Sequence, residues 1–109
     1  MTSATLVLNT VSVRAANGTL TDRSGTITTG GTSQTLMAAN PARRGWRIQN
    51  ISTGDLWFND LGGAAAVATP GSFKIAPGGY FETSFGGIST TAIRIVGATT
   101  GQGFSASEW

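Results

Sequence analysis

Arg43-Arg44-Gly45-Trp46-Arg47-Ile48-Gln49-Asn50-Ile51-Ser52-Thr53-Gly54-Asp55-Leu56-Trp57-Phe58-Asn59-Asp60 is the stretch that decides the fold. Two short apolar runs, 46–51 and 56–58, flank a Ser-Thr-Gly-Asp cluster. Such clusters favour tight turns, because glycine admits positive φ and Ser or Asp side chains bond the local backbone. Side chains alternate along a strand, so Trp46 and Ile48 share one face while Arg47 and Gln49 share the other. In the second run Leu56 and Phe58 oppose Trp57 and Asn59. The stretch predicts a β-hairpin with one core face. An isolated hairpin is marginal in water, so the rest of the chain must supply strands that cover Trp46, Ile48, Leu56 and Phe58.

Working outward, residues 25–29 and 33–37 are β-branched or apolar runs separated by Gly30-Gly31 and predict a second hairpin. Residues 38–41 form a loop, since Pro41 cannot donate to a ladder and drives Asn40 from the helical region. Residues 61–71 are rich in Gly and Ala, contain Pro70 and lack strand periodicity, which predicts a long loop; a helical turn at 64–66 is the lesser alternative. Residues 73–75 predict a strand. Ala76-Pro77-Gly78-Gly79 is a type II turn signature, with Pro at the second and Gly at the third position, leading into a strand over 80–85. The last two strands fall at 92–96 and 103–108, joined through residues 97–101.

No segment has a helical period of 3.6. About eight short strands separated by glycine doublets imply an all-β fold, an antiparallel β-sandwich or jelly roll. Its core face is expected to hold Ile27, Leu36, Trp46, Ile48, Leu56, Phe58, Phe73, Ile75, Phe81, Phe85, Ile93, Ile95 and Phe104. The division expected is residues 1–23 as an N-terminal arm or extra edge strand and residues 24–109 as the sandwich domain. In the arm, Leu6, Leu8, Val11 and Val13 are apolar among Thr, Ser and Asn, and turn and polar residues follow to Ser24. Such an arm is either an added strand or a tie to a neighbouring subunit.

With 109 residues, one domain can bury roughly 65% of its unfolded surface and needs no staple to fold. Cys and His are both absent. Zinc-thiolate, iron–sulfur and Cys-nucleophile chemistry are thereby excluded, along with the commonest neutral-pH general base and metal ligand. Charged residues make up 11% of the chain, against roughly 25% in an average soluble domain. A weakly charged, hydroxyl-rich β surface that retains aromatics implies partial coverage by other subunits; the plainer alternative is a monomer kept soluble by its Ser and Thr. The net charge is only +2 despite a pI near 10.0, so the backbone neutralisation that nucleic-acid binding requires is not expected. No apolar run is long enough to span a membrane. The first residues lack a basic start followed by an apolar stretch, so synthesis in a cytoplasm without a signal peptide is expected.

The five carboxylates are Asp22, Asp55, Asp60, Glu82 and Glu108. Asp55 and Asp60 are an odd number of positions apart, which sends them to opposite faces of a continuous strand and does not make a glycosidase pair. Asn59-Asp60 lacks the alternating acidic rhythm of a calcium loop. Gly-x-Ser-x-Gly is absent, and Gly101-Gln102-Gly103 lacks the third glycine and the βαβ setting of a dinucleotide site. No catalytic residue, cofactor or metal is expected.

The succession Ser24-Gly25-Thr26-Ile27, Gln34-Thr35-Leu36, Ala39-Asn40-Pro41, Arg43-Arg44, Ile48-Gln49-Asn50, Lys74-Ile75, Pro77-Gly78-Gly79, Gly97-Ala98-Thr99-Thr100-Gly101-Gln102 and Glu108-Trp109 resembles small tailed-phage virion proteins of about this length. It covers residues 24–109, and its most specific piece is the Asn-Pro-x-Arg-Arg run leading into Ile-Gln-Asn. The resemblance implies a non-enzymatic structural protein located in the virion, such as a head-decoration or cement protein. The partners it implies are further copies of the chain, a trimer by analogy, and the phage major capsid protein or another virion protein.

The interface candidates follow. Arg43, Arg44 and Arg47 are the basic cluster, suited to an acidic patch on a partner because the guanidinium fork pairs carboxylates bidentately; the alternative is a solvated strand entrance. Trp57, Tyr80 and Trp109 fall off the core face, and exposed aromatics mark interface centres and sugar platforms alike. Leu6, Leu8, Val11 and Val13 complete the set. The alternative function is a carbohydrate- or receptor-binding module of a phage tail fibre, in which one of the three aromatics stacks on a glycan.

Overall fold

The computed structural model describes residues 19–84 and 86–109. Within them the chain forms nine short antiparallel strands: β1 (Thr21–Asp22), β2 (Gly25–Thr26), β3 (Gln34–Met37), β4 (Trp46–Asn50), β5 (Leu56–Asn59), β6 (Phe73–Ile75), β7 (Tyr80–Glu82), β8 (Ile93–Gly97) and β9 (Gly103–Glu108). A five-stranded sheet runs β1-β9-β4-β7, with β2 also on β9, and a four-stranded sheet runs β3-β8-β5-β6. The fold is an all-β sandwich.

The expected central hairpin is not one. β4 lies between β9 and β7 in the larger sheet, and β5 lies between β8 and β6 in the smaller. Alternation could not separate the two arrangements, because a hairpin and a crossing between facing sheets put Trp46, Ile48, Leu56 and Phe58 in the same core. What turns the chain across is Asn50, fully buried at the end of β4. Its amide donates to Gly54 O and Ile75 O, both at 2.8 Å, and its carbonyl accepts from Ser52 N at 2.9 Å and Ser52 Oγ at 2.7 Å. The corner is thus closed by a side chain that replaces ladder bonds.

The second expected hairpin parts in the same way. β2 pairs with β9 and β3 with β8, so residues 25–37 also cross between sheets. Gln34 spans that gap, donating to Thr26 O and accepting from Thr28 N. The turn at 76–79 has the expected type II geometry, with Gly78 at φ 77° and Gly79 N donating to Ala76 O at 2.7 Å. It too joins the two sheets, β6 to β7, and docks on β4 through Gly78 N to Asn50 O. β7 ends at Glu82, short of the expected 80–85.

The core follows the expected list with one clear departure. Ile27, Leu36, Trp46, Ile48, Leu56, Phe58, Ile75, Ile93, Ile95 and Phe104 are buried, and Phe81 packs half-buried against them. Trp46 meets Phe58 edge-on at 5.0 Å and Phe81 at 4.9 Å; such contacts add roughly 0.5–1.5 kcal/mol each beyond burial. Phe73 is the departure, 50% exposed. It packs on Phe58 at 5.6 Å, but β6 is the last strand of its sheet, so among the described residues nothing covers the ring's far side. Phe85 lies outside the described residues.

Met37, Val96, Ala65 and Ala106 join the core unannounced. A register shift between Thr35 and Met37 turns both Leu36 and Met37 inward against strict alternation. Val96 faces outward beside Trp57 yet is 1% exposed. The expected loop after β5 folds back over this face: Asn59 binds Leu61 N and Ala64 O, and Ala65 N donates to Ser33 Oγ.

Candidate binding and assembly surfaces

The basic cluster is divided by the fold. Arg43 is buried, which removes it from the surface where an interface role would place it. Its Nε donates to Glu108 Oε1 at 2.9 Å, Nη1 to Ser89 O and Thr91 O, and Nη2 to Ala38 O. A buried guanidinium is tolerable only when its donors are satisfied and its charge paired, and here the carboxylate comes from the same chain. Glu108 also accepts from Arg23 Nε at 2.7 Å and from Asn40. Burial pushes the Glu108 carboxyl up, but hydrogen bonds from Arg43, Arg23 and Asn40 prevail and hold it below its ordinary value. Arg44 is exposed, its backbone N–H bonded to Trp109 O.

The aromatics are divided too. Trp109 is half-buried and extends the β4–β9 ladder, with Gly45 N donating to Trp109 O and Trp109 N to Gly45 O. Its indole lies against Gly45, where any side chain would collide with the ring. Trp57 is half-buried on the outer face of the smaller sheet and shares a hollow of about 330 Å³ with Val67 and Ala68 of the covering loop. Tyr80 alone of the three is widely exposed, at 55%. Leu6, Leu8, Val11 and Val13 lie outside the described residues.

Tyr80 stands on a ridge between two grooves. On one side is an apolar groove of about 400 Å³ at the open edge between β6 and β7, floored by Phe58, Phe73 and Phe81, with Asp60 and Lys74 at its rim. On the other is a groove of about 440 Å³ across the outer face of the larger sheet, lined by Leu20 together with the polar side chains of Asp22, Arg47, Gln49 and three serines. The register sets that face in two rows: Ser107, Arg47 and Glu82, then Ser105, Gln49 and Tyr80. Arg47 Nε donates to Ser107 Oγ at 2.9 Å, and the Tyr80 hydroxyl donates to Glu82. That carboxylate, together with slight burial, pushes the Tyr80 phenol above its ordinary value, with Arg47 opposing. At the rim, Asp22 accepts from Ser24 N and is held below its usual range by the Ser24 side-chain and backbone bonds.

Residues 102 and 50 act together in a way the sequence did not flag. Buried Gln102 donates to Asp55 O and Ser52 Oγ and accepts from Thr99 N, which stitches the 52–55 crossing to the 97–101 crossing. Asp55 therefore serves a sheet-to-sheet link through its carbonyl. Among the described residues no three acidic side chains converge on one point. No family model, curated protein or solved structure matches the chain.

Proposed function

We propose that this chain is a non-enzymatic structural protein of a bacteriophage particle, a capsid decoration or cement protein that stabilises the head through subunit contacts. The carrying observation is an apolar edge that no described residue covers. Phe73 at 50% and Tyr80 at 55% exposure flank a groove that opens directly onto the core rings Phe58 and Phe81, beside strands that are the ends of their sheets among the described residues. Leu61 is 69% exposed as well. With so few charges on the chain, such an edge calls for a covering subunit.

The strand order supports a jelly roll. From β2 to β9 the chain changes sheet at every step except β5 to β6, which is the connectivity of two interleaved Greek keys. Jelly-roll proteins commonly assemble about symmetry axes, and by that analogy the chain forms a homotrimer on the major capsid protein. Cosedimentation with expanded phage heads tests this reading. Saturable binding that empties the supernatant supports it, and a chain that stays in solution at all head concentrations contradicts it.

A further inference from the structure

We propose that the groove on the outer face of the larger sheet binds an uncharged sugar. The proposal does not rest on the particle role, and it uses the groove on the opposite side of Tyr80 from the assembly edge.

A sugar offers a ring of C–H groups on one face and a rim of hydroxyls that both donate and accept. A site for it needs an exposed aromatic ring and planar polar side chains in fixed positions. Tyr80 supplies the ring, and its hydroxyl contact with Glu82 limits its rotation. Gln49 lies beside Tyr80 in register, with Ser105 beyond it. Neither side chain has a hydrogen-bond partner among the described residues, so an amide and a hydroxyl stand ready on a rigid central pair of strands. Arg47 is fixed by Ser107, and Asp22 closes the far rim. At about 440 Å³, the groove matches roughly one or two hexose rings.

Charge selects among ligands. Among the described residues that line the groove Arg47 is the cation and Asp22 the carboxylate, and Glu82 is the register partner of Arg47. Among the described residues this lining carries no cationic surplus to draw a phosphate or a nucleic acid, and an acidic sugar would meet the Asp22 carboxylate, with Glu82 next to Arg47 in register. The other aromatics are poorer platforms, since Trp57 is partly roofed by Val67 and Ala68 and Trp109 lies against Gly45.

The purified protein should be screened on an array of neutral and sialylated oligosaccharides, with hits titrated by two-dimensional NMR. Gln49→Ala, Tyr80→Ala and Tyr80→Phe are then compared, each checked for a wild-type fold by its amide spectrum. The expected result is binding of at least one neutral glycan, weakened about tenfold or more in Gln49→Ala and Tyr80→Ala, as loss of one or two hydrogen bonds or of the ring contact implies. Tyr80→Phe, which keeps the ring, retains most of the affinity. Failure to bind any neutral glycan, binding confined to sialylated ones, or wild-type affinity in either alanine variant overturns the proposal. Head binding is untouched by Gln49→Ala in either case, which keeps the two readings separate.

Discussion

Arg43 and Glu108, 65 residues apart in sequence, meet as an ion pair with 0% and 4% of their side-chain surfaces exposed. Through this pair the loop entering β4, the end of β9 and the backbone at Ala38, Ser89 and Thr91 are fastened at one end of the sandwich. Removing Glu108 leaves the Arg43 charge buried without a carboxylate, whereas Glu108 without Arg43 keeps Arg23 and Asn40.

Glu108→Gln should therefore cost about 3–5 kcal/mol at neutral pH, as breaking a buried pair typically does. The pH dependence follows from the lowered carboxyl. A group whose folded value is depressed contributes stability that is complete above its unfolded value and is lost as pH falls through the folded one. For Glu108 the loss begins below the ordinary 4.5 and deepens on further acidification. Thermal midpoints across the acidic range should fall steeply for the wild type and less steeply for Glu108→Gln; parallel curves would show that Glu108 is not the group responsible.

Asn50→Ala should open the corner between β4 and β5. The buried bond to the Ile75 carbonyl is lost, at about 1–3 kcal/mol for a buried group left unpaired, while Gly54 O keeps only Ser52 Oγ. A fall in thermal midpoint of roughly 8 °C or more is expected by calorimetry. A fall of under about 2 °C would mean that the corner is held by the backbone alone.

Phe73→Ser should separate assembly from folding. Half of the ring is already in water, so the single chain should lose only about 1 kcal/mol. If the β6–β7 edge is covered by another copy, native mass spectrometry should show a homo-oligomer whose dissociation constant rises about tenfold or more in the variant, as at an aromatic anchor. Equal oligomer populations in both proteins would place the contact elsewhere.

Residues 1–18 are the remaining candidate for a tie between subunits. Deleting them leaves the Arg23–Glu108 bond and the β1–β9 pairing in place, so a folded sandwich with weaker self-association or head binding is expected. Burial of Leu6, Leu8, Val11 and Val13 would supply roughly 1.5–3 kcal/mol each before ordering costs. Unchanged association after deletion removes the segment from the attachment surface.

The strands themselves were legible in the sequence because their signal is local. Alternation at 46–50, glycine and proline at 77–79 and the β-branched run at 93–96 fixed the class of fold and nearly all of the core. Pairing was not legible. Whether 46–50 and 56–59 lie side by side or across the core from each other depends on what Asn50 binds, and that partner, Ile75, is 25 residues away. The same held for the candidate site. Arg43 reads as a surface cation until Glu108 is brought beneath it, while Gln49 and Ser105 gain interest only when register sets them beside Tyr80. Trp57 was expected outside the core and is outside it, yet the loop that partly roofs it carries no periodic signal.

The most direct test of the particle role is an electron-microscopy reconstruction of virions purified from cells that produce this chain. Two-layered β density matching residues 19–109 is expected in several copies about local symmetry axes on the head, with the β6–β7 edge against a neighbouring subunit. Virions in which neither the map nor mass spectrometry of the washed particles contains the chain would contradict it.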